Sequence, residues 1–156
     1  RMLPRTPGGQ GGFTLIELVM TIVVVGILAV SVVPRFFERS TFDSLGFHDQ
    51  TLAVLRYAQK AAVAQRHTVC VTFTASSVSL TLASASPPST TCTMNLTGPD
   101  GSAPYRIDAP SGVSYSAVPS DFYFTALGQA SSGQTFQVAG VAKTISVESE
   151  TGYVHE

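Results

Sequence analysis

The feature that most limits how this chain can fold is the apolar run over residues 13–33, FTLIELVMTIVVVGILAVSVV, which carries a single charge, Glu17. As a helix rising about 1.5 Å per residue it is about 32 Å long, enough to cross the hydrocarbon core of a bilayer. A helix apolar on every side has no solvated face, so it needs lipid or a packed assembly around it. Composition points the same way: charged residues make up 12% of the chain against about 25% in soluble domains, leaving few charges to solvate a surface. The formal net charge of -1 gives no electrostatic reason to expect nucleic-acid binding.

What flanks the run divides the chain. Residues 1–12, RMLPRTPGGQGG, are basic and rich in Gly and Pro; they can neither pack a core nor hold a helix, and read as a leader. Pro34 follows the run, where a proline removes one backbone hydrogen bond and bends a helix without necessarily ending it. Beyond it Leu45, Leu52, Leu55, Ala58 and Ala62 recur at helical spacing, with Asp49, Arg56, Lys60 and Arg66 between them. The pattern predicts one long helix from about Phe13 to about Arg66, weakened near Pro34 and Gly46. Its half over 13–33 spans a membrane, and its half over 34–67 is amphipathic.

From residue 68 to 156 the period changes from helical to alternating. VCVTFT at 69–74, VSLTLA at 78–83, YRIDA at 105–109, VSYSAV at 113–118, TFQVAG at 135–140 and KTISVE at 143–148 read as strands of one antiparallel sheet. Residues 83–101 read as a long Ser/Thr/Pro loop. A long helix followed by a run of strands is an α+β arrangement, with the second half of the helix covering one sheet face.

The chain shows no catalytic constellation. The glycines before residue 13 have neither a preceding strand nor a following Gly-Lys-Ser/Thr, so they make no phosphate loop. His48, His67 and His155 are scattered, and no G-x-S-x-G occurs. Asp100, Asp108 and Asp121 read as turn-forming or solvated carboxylates, so no metal and no cofactor are expected. Cys70 and Cys92 fit neither a redox CxxC nor a zinc site; in an oxidising compartment they read as one disulfide, and otherwise Cys70 is a small buried strand residue. Asn95-Leu96-Thr97 matches a glycosylation sequon. The N-terminal pattern also admits a secretory signal cut after Ala29-Val30-Ser31, releasing a soluble binding domain, but Glu17 near the start of the run opposes it.

The stretch GGFTLIELVMTIVVVGILAV closely resembles the signature of type IV prepilins and type II secretion pseudopilins. The resemblance implies that prepilin peptidase cuts after Gly12 and that Phe13 becomes an N-methylated terminus. It further implies that Glu17 serves assembly and that Pro34 sits at a helix kink. The fold it implies is the type IV pilin-like fold, and the partners are other pilin or pseudopilin subunits and an inner-membrane assembly platform. GILAVSVVPRF at 26–36 is similar to the mannose-sensitive haemagglutinin (MSHA) pilus subgroup. LRYAQKAAVAQRHTVCVTF at 55–73 and FTALGQ at 124–129 are similar to minor pilins and pseudopilins with a GspH-like domain. The expectation is therefore a minor pilin, with a minor pseudopilin of a type II secretion system as the alternative, and not an enzyme. Its place would be the bacterial inner membrane, with residues 68–156 periplasmic, and then the fibre.

Overall fold

The structure is a computed structural model that describes residues 12–85, 87 and 89–156, with only the backbone described over 30–39. One helix and eight strands follow in order among these residues. Helix α1 covers Leu15–Gln65 and continues through Pro34 and Gly46. It starts two residues later than expected because Thr14 caps it. The Thr14 hydroxyl oxygen accepts the Glu17 N–H at 3.3 Å, and the Thr14 carbonyl accepts the Leu18 N–H at 3.1 Å, the first bond of the helical ladder.

The other end closes on Arg66, whose φ of 55° is left-handed. The Arg66 N–H donates to the Val63 carbonyl at 3.4 Å and the His67 N–H to the Ala62 carbonyl at 3.2 Å. This pair of bonds is the Schellman closure, which satisfies carbonyls that the helix leaves open. Glycine usually occupies that site, so Arg66 costs about 1–2 kcal/mol there.

The chain divides into two compact units, Arg1–Glu38 and Arg39–Glu156. In the second unit, β1 (Val69–Thr74) lies antiparallel between β2 (Ser77–Ala83) and β5 (Phe122–Phe124), so that Cys70 faces Thr81 on one side and Tyr123 on the other. Along the far edge of β2 run β3 (Cys92–Asn95) and β4 (Tyr105–Asp108). A second antiparallel sheet contains β6 (Gln134–Gln137), β7 (Thr144–Val147) and β8 (Val154–His155).

The alternation read from the sequence sets which side chains go inside. Val69, Val71 and Phe73 of β1 are buried while Thr72 and Thr74 are exposed. Phe47, Val54, Leu55, Ala58 and Ala62 of α1 join them in one core that also takes Leu80, Phe136, Ile145 and Val147. Each fully buried side chain of this size contributes about 1.5–3 kcal/mol of transfer free energy. Tyr115 lies at the centre, its ring 5.1 Å from Phe47, 5.7 Å from Phe73 and 5.8 Å from Phe136. Its hydroxyl meets Thr51 Oγ1 at 3.2 Å, and burial pushes its pKa up to about 12.

Several expectations need correction. Leu45 was placed on the buried helix face but is 38% exposed; Phe47, Thr51 and Val54 supply that face instead. The strands form two sheets and not one, because the outer edge of β5 is already occupied. Ser131 N–H donates to the Tyr123 carbonyl at 2.9 Å and the Ser131 hydroxyl accepts the Tyr123 N–H at 3.1 Å. Residues 113–118 bury Val113 and Tyr115 as the alternation required, yet they lie between Pro110 and Pro119 and form only the bridge Tyr115↔Val138. The supposed loop over 83–101 contains β3, while β5 and β8 were too short for periodicity to reveal.

Candidate assembly surface

Around the start of α1, every described residue of 12–29 is exposed. Leu15 is 81% exposed, and even Val19, the most covered of the large apolar residues there, is 41% exposed. The one polar stripe on this apolar cylinder is Thr14, Glu17 and Thr21, at a spacing that keeps them on one helix face. Thr21 Oγ1 turns inward to donate to the Leu18 carbonyl at 2.8 Å. Glu17 occupies the third helical position after its cap, where the positive end of the helix favours a carboxylate.

Thr14-Leu15-Ile16-Glu17 is thus a capping-box pattern, Ser/Thr-x-x-Glu, of which the Thr14 half is formed. The sequence reading passed over this signal although all four residues were in view. The cap fixes where the helix starts and therefore which face carries the carboxylate. Phe13, 81% exposed, stands outside the cap, with no helical bond of its own.

Gly12 meets no atom within 4 Å of where a Cβ would stand. Its small size is therefore not demanded by packing among the described residues. The expected leader over 1–12 otherwise lies outside the described residues, and the bend expected at Pro34 lies outside those whose side chains are described. The expected membrane span over 13–33 runs into those side chains as well. Among the described residues, no helical stretch is long and apolar enough to cross a membrane.

Cys70 and Cys92 form a disulfide with their Cα atoms 6.1 Å apart. The bridge ties β1 to β3 across the intervening β2. Each of the three aspartates read as turn-forming or solvated has a partner, and Asp108 ends β4. Asp100 accepts the Ser102 hydroxyl at 2.8 Å, Asp108 pairs with Arg106, and Asp121 accepts the Phe73 N–H at 2.8 Å beside β5. Hydrogen bonds from Ser102 hold the Asp100 carboxyl below its ordinary pKa, and the bond from Arg106 does the same for Asp108.

Among the described residues, His48, Asp49 and Glu156 are the one group with nitrogen and carboxylate atoms close enough to suggest a metal, all within 4.8 Å. The arrangement does not suit one. Lys143 Nζ lies 2.7 Å from Glu156 and already balances that carboxylate. Among the described residues the buried His48 Nε2 has no hydrogen-bond partner, whereas a metal-bound imidazole almost always has one on its second nitrogen. His48 Nδ1 donates to Asp49 at 3.1 Å.

Residues 8–33 match the prokaryotic N-terminal methylation motif. The solved structure of the type IV minor pilin FimU from Pseudomonas aeruginosa strain PAO1 superposes with a TM-score of 0.51 at 19% identity, over 77% of this chain and 90% of that one. The fold is thus type IV pilin-like. A second crystal form of FimU gives a TM-score of 0.48 at 18% identity, over 71% of this chain and 90% of that one. No curated protein sequence matches the chain significantly. The motif agrees with the prepilin signature read from residues 11–30, and the fold agrees with that of a pilin.

Proposed function

We propose that the chain is a minor pilin of an MSHA-like type IV pilus, cut after Gly12, methylated on Phe13 and carried into the fibre by α1. The observation that carries this reading is the capped Glu17 on a helix start exposed on all sides, inside the methylation motif. Over the full run 13–33 the helix holds its single charge near one end. A carboxylate within lipid costs about 2.5–3.5 kcal/mol on insertion scales, so an isolated one is selected against unless it is used. The amine released on Phe13 supplies a counter-charge. Pairing of Glu17 in one subunit with the Phe13 amine of the next neutralises both in a low-dielectric contact, and this is the assembly step.

The partners in this reading are the prepilin peptidase, an inner-membrane assembly platform and neighbouring pilins. A minor pseudopilin of a type II secretion system uses the same motif and fold, and a neighbouring set of secretion genes in place of pilus genes would favour it.

The test is Glu17→Leu in cells lacking the wild-type copy. Cleavage and membrane residence stay normal, and the amount in sheared fibres falls at least severalfold. Incorporation equal to wild type would remove the pairing model. Gly12→Val tests processing separately: because a side chain at Gly12 meets open space, failure to cleave reports recognition and not misfolding. The precursor mass is expected to persist in the membrane fraction, and a normal mature mass rejects the cut site.

A further inference from the structure

A pocket of about 280 Å³ opens in the second unit. Its walls come from Thr68 just before β1, from Tyr123 of β5 and the turn over 125–129, and from Pro87 and Thr90 ahead of β3. These walls are held in place. In the turn, the Gly128 N–H donates to the Thr125 carbonyl at 2.8 Å, the Thr125 N–H to the Gln129 carbonyl at 2.8 Å and the Gln129 N–H to the Thr125 hydroxyl at 3.2 Å. Gly128, at a φ of 87°, also accepts the Gln59 side-chain amide of α1 on its carbonyl at 3.2 Å. Thr90 stands two residues before Cys92, which the disulfide ties to Cys70 of β1. The pocket is therefore formed before anything enters it, which lowers the cost of binding.

The chemistry of the walls selects the occupant. No carboxylate, amine, guanidinium or imidazole lines the pocket, so a charged ligand would find no counter-charge there. Thr68 is 3% exposed, and its hydroxyl makes no hydrogen bond among the described residues. Among those residues His48 Nε2 is the one fully covered side-chain nitrogen or oxygen without a partner. The Thr68 hydroxyl is thus not sealed in, and it opens on the pocket. A wholly apolar ligand would leave this group unpaired at a cost, whereas a ligand hydroxyl can both donate to it and accept from it. The Tyr123 hydroxyl and the Gln129 side-chain amide have no partner among the described residues either, and extend the same offer. Between these polar groups stand Pro87, the Tyr123 ring and Leu127, which is 84% exposed, as apolar surface for C–H groups.

An uncharged ligand with several hydroxyls, an apolar face and the size of one ring meets all of these demands. We infer that the pocket binds a single neutral pyranose, free or at the end of a glycan chain. Its volume lies just under the range of about 300–1,000 Å³ that drug-sized ligands occupy, which suits one sugar ring. The inference does not depend on the proposed function, because binding is read on the purified chain without a fibre.

The experiment titrates the full-length chain, in a detergent without a sugar headgroup, with the methyl glycosides of glucose, galactose, mannose and N-acetylglucosamine, followed by saturation-transfer NMR. At least one is expected to bind saturably with a Kd of about 1 mM, the scale of a small ligand held by a few hydrogen bonds. Thr68→Val removes the hydroxyl and little else. It is expected to weaken binding about tenfold while leaving the thermal midpoint unchanged or raised, since it deletes an unpaired polar group. Gln129→Leu, at an exposed position, is expected to weaken binding by about threefold without touching the fold. A trisaccharide ending in the preferred sugar binds about as well as the methyl glycoside if the source is a glycan end, and fails to bind if the source is the free sugar; both results keep the ring in the pocket. No saturation by any of the four glycosides at about ten times the expected Kd overturns the inference, as does wild-type affinity in both Thr68→Val and Gln129→Leu.

Discussion

Helix α1 contains two regions that share a backbone geometry and almost nothing else. Over 15–29 each described residue is exposed, and apolar side chains point in every direction. Over 47–62 buried positions such as Val54, Leu55 and Ala58 recur between exposed ones such as Asp49, Ala53 and Arg56, with Tyr57 and Gln59 half-buried. The second region is stabilised by its own fold, because its apolar face meets a sheet core. Among the described residues nothing covers the first, so its apolar surface calls for surroundings such as lipid or neighbouring helices. The difference teaches that helix propensity and hydrophobicity do not by themselves locate a core; the period of the apolar residues does.

The largest effect that could break this contrast comes from truncating one leucine and one isoleucine. Leu55 is fully buried, and Leu55→Ala is expected to destabilise the folded unit by about 2–5 kcal/mol through lost transfer energy and the cavity left behind. Ile22 is 62% exposed, and Ile22→Ala is expected to leave the thermal transition of the same full-length protein in detergent within about 0.5 kcal/mol of wild type. A comparable drop from both substitutions would show that 15–29 belongs to the cooperative unit after all.

The next effect sharpens what holds the second unit together. Cys70 and Cys92 close a loop with a sequence separation of 22, worth about 3 kcal/mol in the chain-entropy model. Replacing both by Ser is expected to lower the denaturation midpoint in proportion, with no change in how far the protein partitions into membranes. Alkylation of both thiols in the unreduced folded protein would contradict the bridge.

The same contrast explains which parts of the molecule were legible in the sequence. The helix was, because Leu52, Leu55, Ala58 and Ala62 repeat over several turns and tertiary packing agrees with them. The start of the helix was also encoded, in the capping residues Thr14 and Glu17, but the apolar run drew the boundary to Phe13. Leu45 was misplaced because a period of 3.6 residues allows more than one stripe, and only the core decides that Phe47 is the one inside. The division into two sheets was not readable. It depends on which edge groups of β5 are consumed by Ser131, and that is a matter of long-range register. Of the candidate site, the motif residues were visible from their types, whereas the bond from the Glu17 N–H to the Thr14 hydroxyl needed the structure.

The smallest effect concerns charge, where the two regions differ again: over 15–29 Glu17 is the only ionisable group, while the second unit carries ion pairs at its surface. His155 Nε2 lies 3.1 Å from Glu148 and its Nδ1 lies 3.0 Å from the Glu156 carbonyl. Both ring nitrogens face acceptors, an arrangement that only the imidazolium satisfies fully. The bond to Glu148, followed by that to the Glu156 carbonyl, raises the His155 pKa above its ordinary value, which is about 6.5. A histidine whose folded pKa is raised binds its proton more tightly in the folded state. Its contribution to stability is therefore fully present below about pH 6.5 and is lost as pH rises through the higher, folded value. Thermal unfolding should accordingly show a shallow fall in midpoint as pH rises through this window, and Glu148→Gln should flatten it while leaving the midpoint at high pH nearly unchanged. The exposed setting keeps the effect small. An unaltered slope in Glu148→Gln would assign the pH dependence to another group, and an altered slope in Glu17→Gln would mean that the first region titrates together with the second.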